Sequence, residues 1–441
     1  MSIATESKQR DIRRLAIAAY VGTALEWYDF FLYGTAAALV FNKLFFPSLD
    51  PVIGTIASFT TFAVGFIARP FGAALFGHIG DRHGRKQALI ITVVLMGCAT
   101  GLTGLLPGYD SIGIAAPILL ATLRFLQGVS VGGEWGGAML LTLEHAPEKR
   151  HGLYAAIPQL GSPTGTLLSS GAFALVGLLP DDQFYAWGWR IPFLAAFLLL
   201  FVGLYLRVRI EESPLFRKVM AENKRERLPL ITALRTSSSR MGLSVMAAVL
   251  GIGGFFLVST FMINYGTAKL GVAKSVMLNA TLVGAVVEIV ILWVFGLLAD
   301  RIGAWRVCAL GGVATIIAAF PVFWLVGTGN TALIVLGVSL GFAVVSIPYA
   351  PIGALVAQMF TDESRYSAVA MSYNLAGVVG GLVPLITESL LAGTGQAAWV
   401  PPVLLAVIAL ITTVGSAGAG AVLRRRRFFG ATVDEVAVSH R

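Results

Sequence analysis

The chain has 441 residues, of which 56% are hydrophobic and only 12% charged, with a mean hydropathy of +0.81. Soluble domains carry roughly a quarter charged residues, so a water-soluble globule is excluded and lipid is the solvent this sequence expects. The net charge of +9 does not point to nucleic acid, because the basic residues fall in loops beside apolar runs.

Crossing a bilayer takes about 20 apolar residues in a helix. Twelve runs meet that length, at 16–42, 55–80, 88–107, 112–140, 152–178, 190–208, 243–269, 275–299, 307–327, 331–358, 366–391 and 400–423. The predicted fold is an all-α membrane protein of twelve transmembrane helices in two pseudo-symmetric six-helix bundles. The halves are expected at 1–208 and 241–441, joined by a polar cytoplasmic linker at 209–240 with a short surface helix at Glu211–Met220. Cys98 and Cys308 fall inside apolar runs and read as small packing residues, not a disulfide or metal pair. The polar, basic start and the long first run are not expected to form a cleavable leader.

Lys and Arg set the orientation. Placing both termini in the cytoplasm puts most of the basic residues on that side, including Arg82, Arg85, Lys86 and the run Arg424–Arg427. The opposite face then carries Asp50, Asp110, Asp181 and Asp182.

Duplication is visible in the loops. Gly77-His-Ile-Gly-Asp81-Arg82-His-Gly84-Arg85-Lys86 has a weaker copy in Gly296-Leu-Leu-Ala-Asp300-Arg301-Ile-Gly303. Likewise Glu148-Lys-Arg150 precedes Gln159-Leu-Gly161 as Glu363-Ser-Arg365 precedes Asn374-Leu-Ala376. Six-helix repeats of this kind are a transporter pattern.

Charged residues inside the spans each need a reason, since one at the bilayer centre costs about 2.5–3.5 kcal/mol on insertion scales. Glu26 and Asp29 in the first span share a face with Gly22 and Tyr33. Arg69 lies in the second span, Arg124, Gln127 and Glu134 in the fourth, and Glu288 in the eighth. Mutual neutralisation is one explanation. The functional one needs a guanidinium that grips a carboxylate, from Arg69 or Arg124. It also needs an acid that changes protonation, from Glu26, Asp29, Glu134 or Glu288. Neutral polar residues expected in the cavity are Tyr33, Gln127, Gln159, Asn264, Tyr349 and Asn374, with Pro348 and Pro351 letting the tenth span bend. The five histidines fall on the cytoplasmic side and are set aside as proton carriers.

The loop Gly77-x-x-x-Asp81-Arg82-x-Gly84-Arg85-Lys86 resembles the signature of the major facilitator superfamily, as does Arg124-Phe-Leu-Gln127-Gly128. Glu26-Trp-Tyr-Asp29, Phe66-Ile-Ala-Arg69-Pro70, Val131-Gly-Gly-Glu134-Trp-Gly-Gly137, Trp187-Gly-Trp-Arg190-Ile-Pro192 and Glu212-Ser-Pro214 resemble its metabolite:proton symporter branch. The second loop departs from the pattern, with Ala304-Trp305 where a basic pair is usual. The resemblance implies proton-coupled import of a small organic acid or zwitterion by alternating access, with shikimate, 2-oxoglutarate, citrate and proline/betaine carriers in the branch. A proton/drug antiporter and an uncoupled facilitator are the alternatives. No enzyme chemistry, metal or cofactor is expected: the proton gradient drives the cycle. Membrane lipid, protons and a small carboxylate are the expected partners of a monomer in a bacterial inner membrane. Gly77, Asp81, Arg82, Gly84, Arg85, Lys86, Asp300 and Arg301 are expected to form a cytoplasmic gate that latches the outward-facing state without touching substrate.

Overall fold

The computed structural model describes residues 3–83, 85–132, 139–140, 142–143, 146–208, 229–360 and 365–438. Gly84 and Glu134 lie outside them, as do the side chains of Asp81, Arg82, Arg85 and Lys86. The described residues are helical, and among them there is no strand.

Twelve membrane-crossing helices follow in order. The first six are α1 (Ile3–Ala36, continued to Leu44), α2 (Pro51–Ile67 and Arg69–His83), α3 (Arg85–Thr103), α4 (Ala115–Val131), α5 (His151–Gln159 and Gly161–Val176) and α6 (Arg190–Val208). The second six are α7 (Pro229–Val249, continued to Lys269), α8 (Lys274–Ile302), α9 (Ala304–Gly327), α10 (Thr331–Tyr349 and Ile352–Gln358), α11 (Arg365–Gly393) and α12 (Val400–Val438). Eight of these are long and apolar enough to cross a membrane by themselves. With an even number of passes both ends emerge on the same side.

The helix ends follow local chemistry. At the start of α2, Asp50 accepts from Val52 N at 2.9 Å and Pro51 takes the first helical position, where its missing N–H costs nothing. Asn330 caps α10 by accepting from Ala332 N and Leu333 N. Between α8 and α9 a single residue, Gly303, turns the chain at φ 96°, a backbone conformation that favours glycine. Residues 229–240, expected in the linker, are helical, and Ser237 breaks the helical geometry where α7 turns into the membrane. The surface helix expected at Glu211–Met220 lies outside the described residues. In α10 the helix stops at Tyr349 and restarts at Ile352, so the break falls at Ala350 and Pro351, the second of the two prolines expected to bend it.

Leu198, Phe201, Ile317 and Trp324 are exposed on the outer faces, which suits lipid contact. The two halves meet along an aromatic seam. Trp27 of α1 lies 5.8 Å from Phe256 and 6.1 Å from Tyr349, and Phe62 and Phe66 of α2 each lie 5.1 Å from Phe256. At one end of the seam Asp300 accepts from Gly152 N at 2.6 Å, placing a carboxylate on the first turn of α5. At the other, Lys274 bonds Asp181 at 2.6 Å. The halves are therefore in contact at both ends and in the middle.

Candidate functional site

Of the ionisable residues predicted for the first half, Glu26, Asp29, Arg69 and Arg124 are buried and sort into two pairs, while Glu134 lies outside the described residues. Arg124 Nη1 donates to Asp29 Oδ2 at 3.1 Å and to Gln127 Oε1 at 3.2 Å. Gln127 Nε2 donates to Asp29 Oδ1 at 2.9 Å, and the Thr100 hydroxyl bonds the same oxygen. Tyr33 lays its ring 4.3 Å from the Arg124 guanidinium. Every member of this cluster comes from α1, α3 or α4, so it is sealed inside the first half. It fits there because α2 and α4 touch backbone to backbone. A Cβ on Gly128 would stand 1.9 Å from Gly65 O, and one on Gly65 would meet Arg124 Nε at 2.5 Å. A cavity of about 20 Å³, room for about one water, borders Asp29 and Thr100 between α1, α3 and α6.

The second pair is Arg69 with Glu26, a direct contact through Arg69 Nη2. It faces the other half. A Cβ added to Gly377 of α11 would come within 3.0 Å of Arg69 Nη1. Tyr373 of α11 lies within electrostatic reach of both Arg69 and Glu26. Arg69 Nε has no hydrogen-bond partner among the described residues, and nor do Arg124 Nε and Nη2, so both guanidiniums keep unused donors and only position separates them.

Around this pair come together Gln159 and Asn374, the two residues matched by the repeat, and the tyrosines Tyr349 and Tyr373. Tyr373 and Tyr349 hydroxyls are 3.3 Å apart, Gln159 Nε2 donates to Tyr349 O at 3.4 Å, and Asn374 Nδ2 donates to Gly132 O at 2.6 Å across the halves. Glu288 of α8 is fully buried, near Tyr349, and neither of its oxygens has a hydrogen-bond partner among the described residues. The hydroxyl of Ser162 on α5 approaches it without hydrogen-bond geometry.

Asn264 is not with this group. It sits between π-helical turns of α7 and donates to Glu388 Oε2 at 3.2 Å, while Lys269 pairs with Glu388 Oε1 at 3.0 Å. Glu388 went unnoticed in the sequence, although a carboxylate inside the eleventh span is the same signal that marked Glu288. Thr100 was missed because a lone threonine in an apolar run is ordinary. Of the expected gate, Asp300 bridges the halves through the backbone of α5, and Arg301 ends α8 on the surface. The contact expected from Asp81 lies outside the described residues.

These observations place two carboxylate–guanidinium pairs in one bundle, one sealed and one on the seam between halves. The family model described as Major Facilitator Superfamily matches residues 19–384. An inner membrane metabolite transport protein of Escherichia coli K12 is 40% identical over 380 residues, covering 84% of this chain and 86% of the relative. The shikimate transporter of the same organism is 39% identical, covering 86% and 88%, and its proline/betaine transporter 34% identical, covering 91% and 82%. Among solved structures, a D-xylose-proton symporter superposes with a TM-score of 0.70 at 18% identity, covering 91% of this chain and 97% of that one. At that identity the likeness shows the fold alone. This chain belongs to the Major Facilitator Superfamily, as an integral multi-pass metabolite transporter and not an enzyme.

Proposed function

We propose that the chain is a proton-coupled symporter that imports a small organic acid or zwitterion across a bacterial inner membrane by alternating access. The observation that carries this reading is the division between the two pairs. Arg69, which faces the second half, takes the substrate carboxylate, because guanidinium stays charged and binds carboxylates with two parallel hydrogen bonds. Glu26 holds that position until substrate arrives. Asp29, sealed against Arg124, takes the proton.

The logic is electrostatic. An anion bound at Arg69 adds negative charge to a low-dielectric interior, where charges act on one another far more strongly than in water. A proton on Asp29 offsets it, so proton and anion favour each other's binding, and the loaded protein is close to neutral as the halves rock. Gln159, Tyr349, Tyr373 and Asn374 line the seam and bond substrate groups other than the carboxylate. The relatives' names support both a hydroxy acid such as shikimate and zwitterions such as proline or betaine. The two halves act as the moving units, with Asp300 and Lys274 among the contacts that make and break at opposite ends.

The test is uptake into proteoliposomes with shikimate, proline and glycine betaine, each with and without an imposed inward proton gradient. The reading expects one of them to accumulate above its external concentration only with the gradient. Equal uptake with and without the gradient would make the protein an uncoupled facilitator. Gradient-driven export would make it an antiporter.

A further inference from the structure

Two stacked rings, Phe30 and Phe66, lie against both pairs. The Arg69 guanidinium lies 4.5 Å from the centre of the Phe30 ring, and the Arg124 guanidinium lies 4.9 Å from the same centre. Phe66 stacks on Phe30 at 4.7 Å with the planes 29° apart, and it too lies near both, at 5.0 Å from Arg69 and 6.0 Å from Arg124. Phe30 is completely buried and Phe66 nearly so. Phe30 follows Asp29 and stands one helical turn beyond Glu26, so α1 itself carries both carboxylates and the ring between their partners.

Two guanidiniums held this near each other in a dry space repel, and each already has its carboxylate. The negative face of an aromatic ring attracts a cation, so a ring shared by both offsets the repulsion and fixes where each charge stands. It also keeps water from the space between them, which preserves the force one pair exerts on the other. An aliphatic side chain supplies neither the attraction nor the flat surface.

We propose that Phe30 is the positioning residue that couples the two pairs. Backed by Phe66, it holds Arg69 and Arg124 at a fixed separation across a water-free space, so that the proton state of Asp29 is felt at the substrate position on Arg69. The proposal rests on the proton-symport reading above. The charged and titratable groups facing Asp29 are Arg124 from α4, Arg69 from α2, and Tyr28 and Tyr33 from α1, with Glu26 beyond Arg69.

The test needs no substrate. In the full chain reconstituted in lipid, infrared difference spectra follow the protonated-carboxyl band of Asp29, assigned by its loss in Asp29→Asn, as pH is varied. Glu26→Gln removes the counter-charge of Arg69. With Phe30 present it is expected to change the proton affinity of Asp29 by about tenfold, one unit of pH. In Phe30→Leu the same substitution is expected to change it less than about threefold, and Phe30→Tyr, which keeps the ring face, restores the larger response. An equal response in Phe30→Leu and in the native background overturns the role of Phe30 while leaving the symport reading intact. If no pH-dependent band is lost in Asp29→Asn, the proton assignment itself fails, and this inference with it. A variant that does not insert is recognised by its lost thermal transition, and Phe30→Met then takes the place of Phe30→Leu.

Discussion

Asp29–Arg124 and Glu26–Arg69 are chemically the same object, a carboxylate and a guanidinium bonded in an apolar bundle, and both carboxylates sit on α1 three residues apart. Their surroundings differ. Asp29 and Arg124 are wrapped by Gln127, Thr100 and Tyr33, all from the first half. Arg69 faces Gly377 of the second half and lies within electrostatic reach of Tyr373. A pair enclosed by one rigid body keeps its partners while the halves rock, whereas a pair on the seam gains and loses neighbours with each cycle. The first position suits a proton, which needs no room, and the second suits a substrate, which must enter and leave.

The largest effect that sharpens this contrast is expected at Arg69. Truncating one member of a buried, hydrogen-bonded charge pair costs about 2–5 kcal/mol. Arg69→Ala should therefore weaken substrate binding by at least about thirtyfold. Isothermal titration with the substrate found in the uptake assay checks this, and near-native affinity in Arg69→Ala would move the carboxylate elsewhere.

An intermediate effect is expected at Thr100, which supports Asp29 without touching the seam. Thr100→Val keeps the shape and removes one hydrogen bond to a charged group, worth about 1.5–3 kcal/mol. It should shift the pH profile of uptake while leaving affinity at saturating proton concentration within about threefold. A change in affinity with an unmoved profile would blur the division between the pairs.

The smallest effect is expected at Lys274, whose partner Asp181 is 77% exposed. An exposed ion pair contributes about 0–1 kcal/mol and is screened by salt. Lys274→Ala should alter uptake by about threefold or less, and the difference should shrink as salt is raised.

Much of this was legible in the chain. The twelve spans follow from apolar run length alone, and the cost of a charge in lipid singled out Glu26, Asp29, Arg69, Arg124 and Glu288. Which carboxylate takes which arginine was not legible. A spacing of three puts Glu26 and Asp29 on one side of α1, but α2 and α4 approach that side from different directions, and only the packing at Gly65 and Gly128 decides the outcome. The π-helical turns at Leu250–Gly254, Leu257–Phe261 and Tyr265–Lys269 were equally hidden, since an apolar, glycine-rich run carries no mark of a widened turn. Those turns set the register that sends Asn264 toward Glu388 and away from the seam. Gln159 and Asn374, matched by the repeat, each make a hydrogen bond from one half to the other.

The division of labour is tested most directly by comparing two rates in one variant. In proteoliposomes carrying Asp29→Asn, gradient-driven accumulation should fall to the level seen without a gradient, while exchange of external for internal substrate stays within about threefold of native. Loss of both activities in equal measure would contradict the account and make Asp29 a structural or substrate-binding residue. Retained accumulation would take the proton to another acid.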